Sequence, residues 1–120
     1  MYKICVTDHF DAAHHLEGYD GPCARPHGHR FSIKVYIKGK EVDSRGILID
    51  FKLVKDCLKG IINDLDHYDL NDNFENPTCE NVANWCFKTL SDSFTAPLRL
   101  SRVRLYESPD SYAEKGAGDE

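Results

Sequence analysis

The sequence predicts an α+β domain, a four-stranded antiparallel sheet with two helices on one face in the order ββααββ. Three observations carry that prediction. Two long runs near the start alternate apolar and polar residues with a period of two, two later stretches repeat their apolar residues at helical spacing, and the strand pattern returns after Pro97.

From Tyr2 to His14 the even positions are Tyr2, Ile4, Val6, Asp8, Phe10, Ala12 and His14. The odd positions are Lys3, Cys5, Thr7, His9, Asp11 and Ala13. Apart from Asp8 the even face is apolar, the mark of a strand with one buried side. The same alternation separates two neighbouring histidines: His14 ends the inner face and His15 points the other way. Leu16 to Pro26 is rich in Gly, Pro and Asp and reads as a loop. From there His27, His29, Phe31, Ile33, Val35 and Ile37 alternate with Arg30, Ser32, Lys34, Tyr36 and Lys38, which makes the second strand. Its inner face opens with two imidazoles on either side of Gly28, about 7 Å apart along the chain at the usual strand rise.

A turn region runs from Gly39 to Gly46, and Asp50 suits the N-cap of a helix whose Val54, Leu58, Ile61 and Leu65 share one face. A second helix opens at Thr78, behind Pro77, with Val82, Cys86 and Leu90 on one stripe. The segment LDHYDLNDNFENPT between them is polar and turn-rich. LRLSRVRLYE forms the third strand with Val103, Leu105 and Glu107 on one side, and Ser111 to Lys115 a short fourth. Residues 1–115 therefore read as a single domain, with residues 116–120 as a flexible tail. A small sheet with free edges and an uncovered face predicts an oligomer.

Composition narrows the function classes. A chain of 120 residues with 41% hydrophobic residues supports one core. Its formal net charge of -5 argues against a nucleic-acid partner, which would call for a basic surplus. No stretch approaches the roughly 20 apolar residues that span a bilayer, so no membrane role is expected. Five cysteines at irregular spacing, and a first ten residues without an apolar run, indicate a reducing, cytoplasmic setting.

His14, His27 and His29 end the apolar faces of neighbouring strands. Any one of them alone would read as a satisfied core or turn histidine. Together they match three imidazole ligands with one open position, the arrangement typical of catalytic zinc. Cys23 admits two readings: it completes a closed structural site of one Cys and three His, or it lies beside an open position where the cation lowers the thiol pKa. Cys57 and Cys86 read as small apolar fillers on helices, and Cys5 and Cys79 have no motif around them.

FDAAHHL at 10–16 with CARPHGH at 23–29 resembles the zinc signature of the 6-pyruvoyl tetrahydropterin synthase and 6-carboxytetrahydropterin synthase superfamily. GILIDF at 46–51, LDHYDLND at 65–72, ENPTCE at 75–80 and LYES at 105–108 resemble its later blocks, in order. The resemblance implies a tunnelling fold, in which three subunits join their sheets into a barrel and two trimers stack as a homohexamer. It implies zinc on His14, His27 and His29, Cys23 as the catalytic thiol, and Asp66 with His67 as its partners in an acid/base relay. It makes Glu107 the anchor of the pterin, and a carboxylate suits the paired ring N–H and exocyclic amine of that edge. Three residues separate Cys23 from His27, as in the 6-carboxytetrahydropterin synthases of queuosine (7-deazapurine) biosynthesis. The implied lyase reaction converts 7,8-dihydroneopterin triphosphate to 6-carboxy-5,6,7,8-tetrahydropterin, acetaldehyde and triphosphate. The alternatives are pyruvoyl-type chemistry on the same substrate and a non-catalytic module whose zinc site, of one cysteine and three histidines, is purely structural. The branch that uses a glutamate near His-Gly-His is not matched by Ala24, Arg25 and Pro26. Two positions depart from the family pattern, His15 where arginine is frequent and Ser108 where threonine is. They leave the triphosphate contacts open, with Arg25, Lys34 or a neighbouring subunit as the available sources of positive charge.

Overall fold

The computed structural model describes residues 1–16, 18, 21, 25 and 27–118, the His27 side chain excepted. Strand β1 (Tyr2–His14) leads through the loop to β2 (His27–Gly39), followed by helix α1 (Phe51–Leu65), helix α2 (Cys79–Ser91), β3 (Arg99–Ser108) and β4 (Ser111–Gly116). The four strands form one antiparallel sheet in sequence order, with β1 and β4 at the edges.

Alternation decides which face is covered. Val6, Phe10, Ala12 and His14 of β1 and Phe31, Ile33, Val35 and Ile37 of β2 are buried. Against them pack Val54, Leu58, Ile61, Ile62 and Leu65 of α1 and Val82, Ala83, Cys86 and Leu90 of α2. Each fully buried aliphatic side chain contributes about 1.5–3 kcal/mol. Asp8, the one charge on the inner face of β1, is offset by Lys59 of α1 at 3.3 Å. Asp50 caps α1 by accepting from the Lys52 N–H at 2.9 Å. Thr78 caps α2 by accepting from the Asn81 N–H at 3.0 Å.

Gly39 ends β2 where a Cβ would meet the terminal methyls of Leu48 and Leu98 at 2.7 Å, so a larger residue there would make both side chains shift. The β2–β3 register skips Ser101, since Tyr36 faces Arg102 and Ile37 faces Leu100. This bulge turns both Leu100 and Ser101 inward and breaks the alternation read from the sequence. Gly116, placed in the tail by the sequence, is the last residue of β4. Gly116 pairs with Arg102, and the Ala117 N–H donates to the Ser101 carbonyl at 3.0 Å, because the bulged strand leaves that carbonyl available. Residues 119–120 lie outside the described residues. Among the described residues no helix is long and apolar enough to cross a membrane.

Candidate functional site

The inner faces of β1 and β2 and the end of β3 converge at one end of the sheet. His14 is 1% exposed. Its Nδ1 lies 2.8 Å from the Pro77 carbonyl, which only accepts, so Nδ1 carries the hydrogen. In the neutral ring Nε2 then carries the lone pair, and it faces Glu107 Oε1 at 2.9 Å. Glu107 Oε1 is also 3.4 Å from His29 Nε2. Donor atoms of His14, His29 and Glu107 all lie within 4.8 Å of one another. Phe31 stands edge-on to both imidazoles, with centroids at 5.4 and 5.7 Å, and stacks on Phe10 at 5.0 Å, so the rings are held by packing from beneath.

This donor set fits a divalent cation of borderline character such as zinc. A lone pair and a carboxylate oxygen in van der Waals contact repel unless a proton or a cation lies between them. The Pro77 carbonyl supplies the outer hydrogen bond that orients a ligating imidazole. His27 pairs with His14 in the strand register. Its side chain, and all of Cys23, lie outside the described residues.

Asp66 and His67 form a second cluster, on the edge of β1. His67 Nδ1 lies 2.9 Å from Asp66 Oδ2, and the other Asp66 oxygen accepts from the Asp11 N–H at 2.8 Å. The His67 N–H donates to the Asp11 carbonyl at 2.6 Å, and the Ala13 N–H to the Tyr68 carbonyl at 3.1 Å. Asn71 continues the seam, accepting from the His15 N–H at 2.9 Å. His67 adopts a left-handed backbone with φ 64°, costing about 1–2 kcal/mol, and its side chain is 79% exposed. The Asp11 N–H, ahead of the His67 contact, holds the Asp66 carboxyl below the usual range, which keeps it an anion beside the imidazole. A cleft of about 490 Å³ is lined by His29, Arg30, Asp11 and His67, so the two clusters open onto common space.

Sequence reasoning missed Asp11 and Pro77. Asp11 faces Arg30 across the β1–β2 pair and binds it through two contacts of 3.0 and 3.1 Å, which reads from sequence as an ordinary surface pair. Pro77 acts through its carbonyl, and side-chain patterns carry no sign of that. Glu107, expected to meet substrate, lies against the imidazoles. Its place on the Val103–Leu105 face at the end of β3 was a legible signal for this. Two further thiols are structural: burial pushes Cys86 up to about 12 and Cys79 up to about 11, and Cys79 Sγ donates to the Leu105 carbonyl.

A family model described as 6-pyruvoyl tetrahydropterin synthase matches residues 3–117. The chain belongs to the 6-pyruvoyl tetrahydropterin synthase family. A relative from Archaeoglobus fulgidus, named putative 6-carboxy-5,6,7,8-tetrahydropterin synthase, is 35% identical and covers 92% of each chain. A Pyrococcus furiosus relative named dihydroneopterin monophosphate aldolase is 34% identical over 88% of this chain and 89% of its own. Relatives named 6-carboxy-5,6,7,8-tetrahydropterin synthase also come from Synechocystis and Haemophilus influenzae. The solved Caenorhabditis elegans 6-pyruvoyl tetrahydropterin synthase superposes with a TM-score of 0.86 at 25% identity, covering 98% of this chain and 96% of that one. The sheet and helices described above are the tunnelling fold of this family.

Proposed function

We propose that the protein is a cytoplasmic, zinc-dependent carbon–carbon lyase of 7-deazapurine (queuosine) biosynthesis. It converts 7,8-dihydroneopterin triphosphate and water to 6-carboxy-5,6,7,8-tetrahydropterin, acetaldehyde and triphosphate. The observation that carries the proposal is the buried His14, oriented by the Pro77 carbonyl and aimed at Glu107 and His29. The names of several relatives support the substrate class.

His14, His27 and His29 hold the metal, which supplies Lewis acidity toward the hydroxyl oxygens of the substrate side chain. Glu107 accepts the ring N–H and exocyclic amine of the pterin and so fixes which side-chain carbons face the bases. Cys23 and His67 take and return protons at those carbons. Asp66 stays ionised, holds the His67 ring through Nδ1 and stabilises its protonated form, the task carboxylates perform beside catalytic imidazoles. The working form is a homohexamer, a dimer of trimers, in which the edges offered by β1 and β4 meet those of neighbouring copies.

The relative named dihydroneopterin monophosphate aldolase favours a second reading, retro-aldol cleavage of a dihydroneopterin phosphate. Cleavage there leaves the phosphate on a two-carbon aldehyde, so no free acetaldehyde forms. The deciding experiment incubates the zinc-loaded protein with 7,8-dihydroneopterin triphosphate and assays acetaldehyde, triphosphate and pterin, with Cys23→Ala in parallel. Acetaldehyde from the wild type alone supports the lyase and the part given to Cys23. A phosphorylated aldehyde supports the aldolase, and triphosphate without any aldehyde supports pyruvoyl-type chemistry. An untouched substrate with zinc bound by Cys23 and three histidines would leave a structural site.

A further inference from the structure

Asp66 and His67 are held by a single residue of β1. Both main-chain groups of Asp11 serve them: its N–H donates to one Asp66 oxygen at 2.8 Å, and its carbonyl accepts from the His67 N–H at 2.6 Å. These bonds hold His67 in its left-handed conformation, φ 64°. The residue that anchors the pair also carries a charge of its own. One carboxylate oxygen of Asp11, one of Asp66 and a ring nitrogen of His67 all lie within 4.8 Å of one another.

Two full negative charges beside one imidazole favour its protonated form, whereas a base working near neutral pH must be able to give its proton up. Arg30 offsets the excess. It lies directly across from Asp11 in the β1–β2 register and grips both carboxylate oxygens, Nε at 3.0 Å and Nη2 at 3.1 Å. A planar two-point contact fixes the carboxylate's orientation as well as its charge. The Arg30 hydrogen bond, ahead of the His67 charge, holds the Asp11 carboxyl below the usual range, so Asp11 stays an anion wherever the imidazole titrates. Side chains 63% and 44% exposed add little to stability through such a pair, so its consequence lies in what it does to its neighbour. Of the other titratable groups around the ring, His29, Tyr68 and Asp69 line the same cleft, and His9 stands two residues before Asp11 on the same face of β1.

We propose that Asp11 and Arg30 are positioning residues for the Asp66–His67 pair: Asp11 anchors the pair through its main chain and presents a second carboxylate to the imidazole, and Arg30 offsets that carboxylate so that the ring exchanges its proton. The inference rests on the functional reading above for the use of His67 as an acid and base, and adds the residues that set the charge it faces.

The test follows the His67 imidazole by NMR titration in the zinc-loaded protein at low ionic strength, its resonance assigned by its loss in His67→Asn. Zinc content is measured in every variant and is expected at the wild-type stoichiometry. Arg30→Gln leaves the Asp11 charge uncompensated and raises the titration midpoint by about half a pH unit, roughly threefold in proton affinity, the effect of one unit charge at this range in a solvent-like dielectric. Asp11→Asn keeps both main-chain bonds, removes the carboxylate and leaves the guanidinium, so the midpoint falls by a similar amount. The double variant returns close to wild type, as does Arg30→Lys, and added salt shrinks each shift. The acidic limb of the kcat/KM profile on 7,8-dihydroneopterin triphosphate moves with the midpoint. A structural role alone gives no such opposition of sign. Wild-type midpoints in both single variants, or shifts in the same direction, would overturn the proposal. Opposite shifts with an unmoved acidic limb in an active enzyme would also overturn it, because the pair would then have no part in the reaction. Opposite shifts in a protein that turns over no pterin would uphold the pair and strike the functional reading alone.

Discussion

Glu107→Gln separates the two tasks that its position allows. The carboxylate is 28% exposed and touches His14 and His29 through one oxygen. As a pterin anchor it accepts two N–H donors, each charge-assisted bond worth about 1.5–3 kcal/mol. The amide keeps one acceptor and presents an NH2 to the second donor, so the expected loss is close to 3 kcal/mol, or about 100-fold in affinity. The protein side changes little. His14 keeps its bond to the Pro77 carbonyl, and the new amide donates to the Nε2 lone pair, so metal-free stability stays within about 1 kcal/mol of wild type. Three imidazoles remain for the metal. Metal analysis of the purified protein and a fluorescence titration with 7,8-dihydroneopterin give the two numbers. Zinc at wild-type stoichiometry with pterin affinity about 100-fold down is the expected result. Lost zinc with retained pterin affinity would refute the reasoning and make Glu107 a metal ligand.

Thr78→Ala removes the cap of α2 and costs about 1 kcal/mol, which lowers Tm by roughly 4 °C for a domain of this size. Because Pro77 precedes that cap and orients His14, zinc affinity falls about 10-fold as well, as loss of an outer-shell partner does; a chelator competition reads it. Asp66 has a folded pKa below its unfolded value, so its ionised form stabilises the protein fully above about pH 4 and loses that effect as pH falls through the folded pKa. Thermal melts of Asp66→Asn should therefore lie below wild type at neutral pH and converge with it at acidic pH. Thiol labelling at pH 8 should be fast at the exposed Cys5 and very slow at Cys86 and Cys79, whose pKa values are raised to about 12 and 11 by burial; equal rates would contradict the packing of α2.

The strands and helices were legible because each element shows its buried face in a short window. Period-two alternation set β1 and β2 to within a residue, and Asp50 and Thr78 announced their helices through the chemistry of capping. The same alternation brought His14 and His29 to one end of the inner face, so two of the three members of the His14, His29 and Glu107 cluster were placed by a local property. The motif at 66–67 was legible only through family resemblance, since a carboxylate beside a histidine has no periodic signature. Three features needed the tertiary structure. The bulge at Ser101 arises from pairing β3 with β2 and leaves no mark in composition. Asp11 joins Asp66 and His67 through backbone groups, and Pro77 orients His14 through a carbonyl, contacts between positions more than fifty residues apart. Side-chain periodicity is a local quantity and can be read along the chain; backbone hydrogen bonds and charge pairing across strands depend on which segments meet, and only the packed sheet decides that.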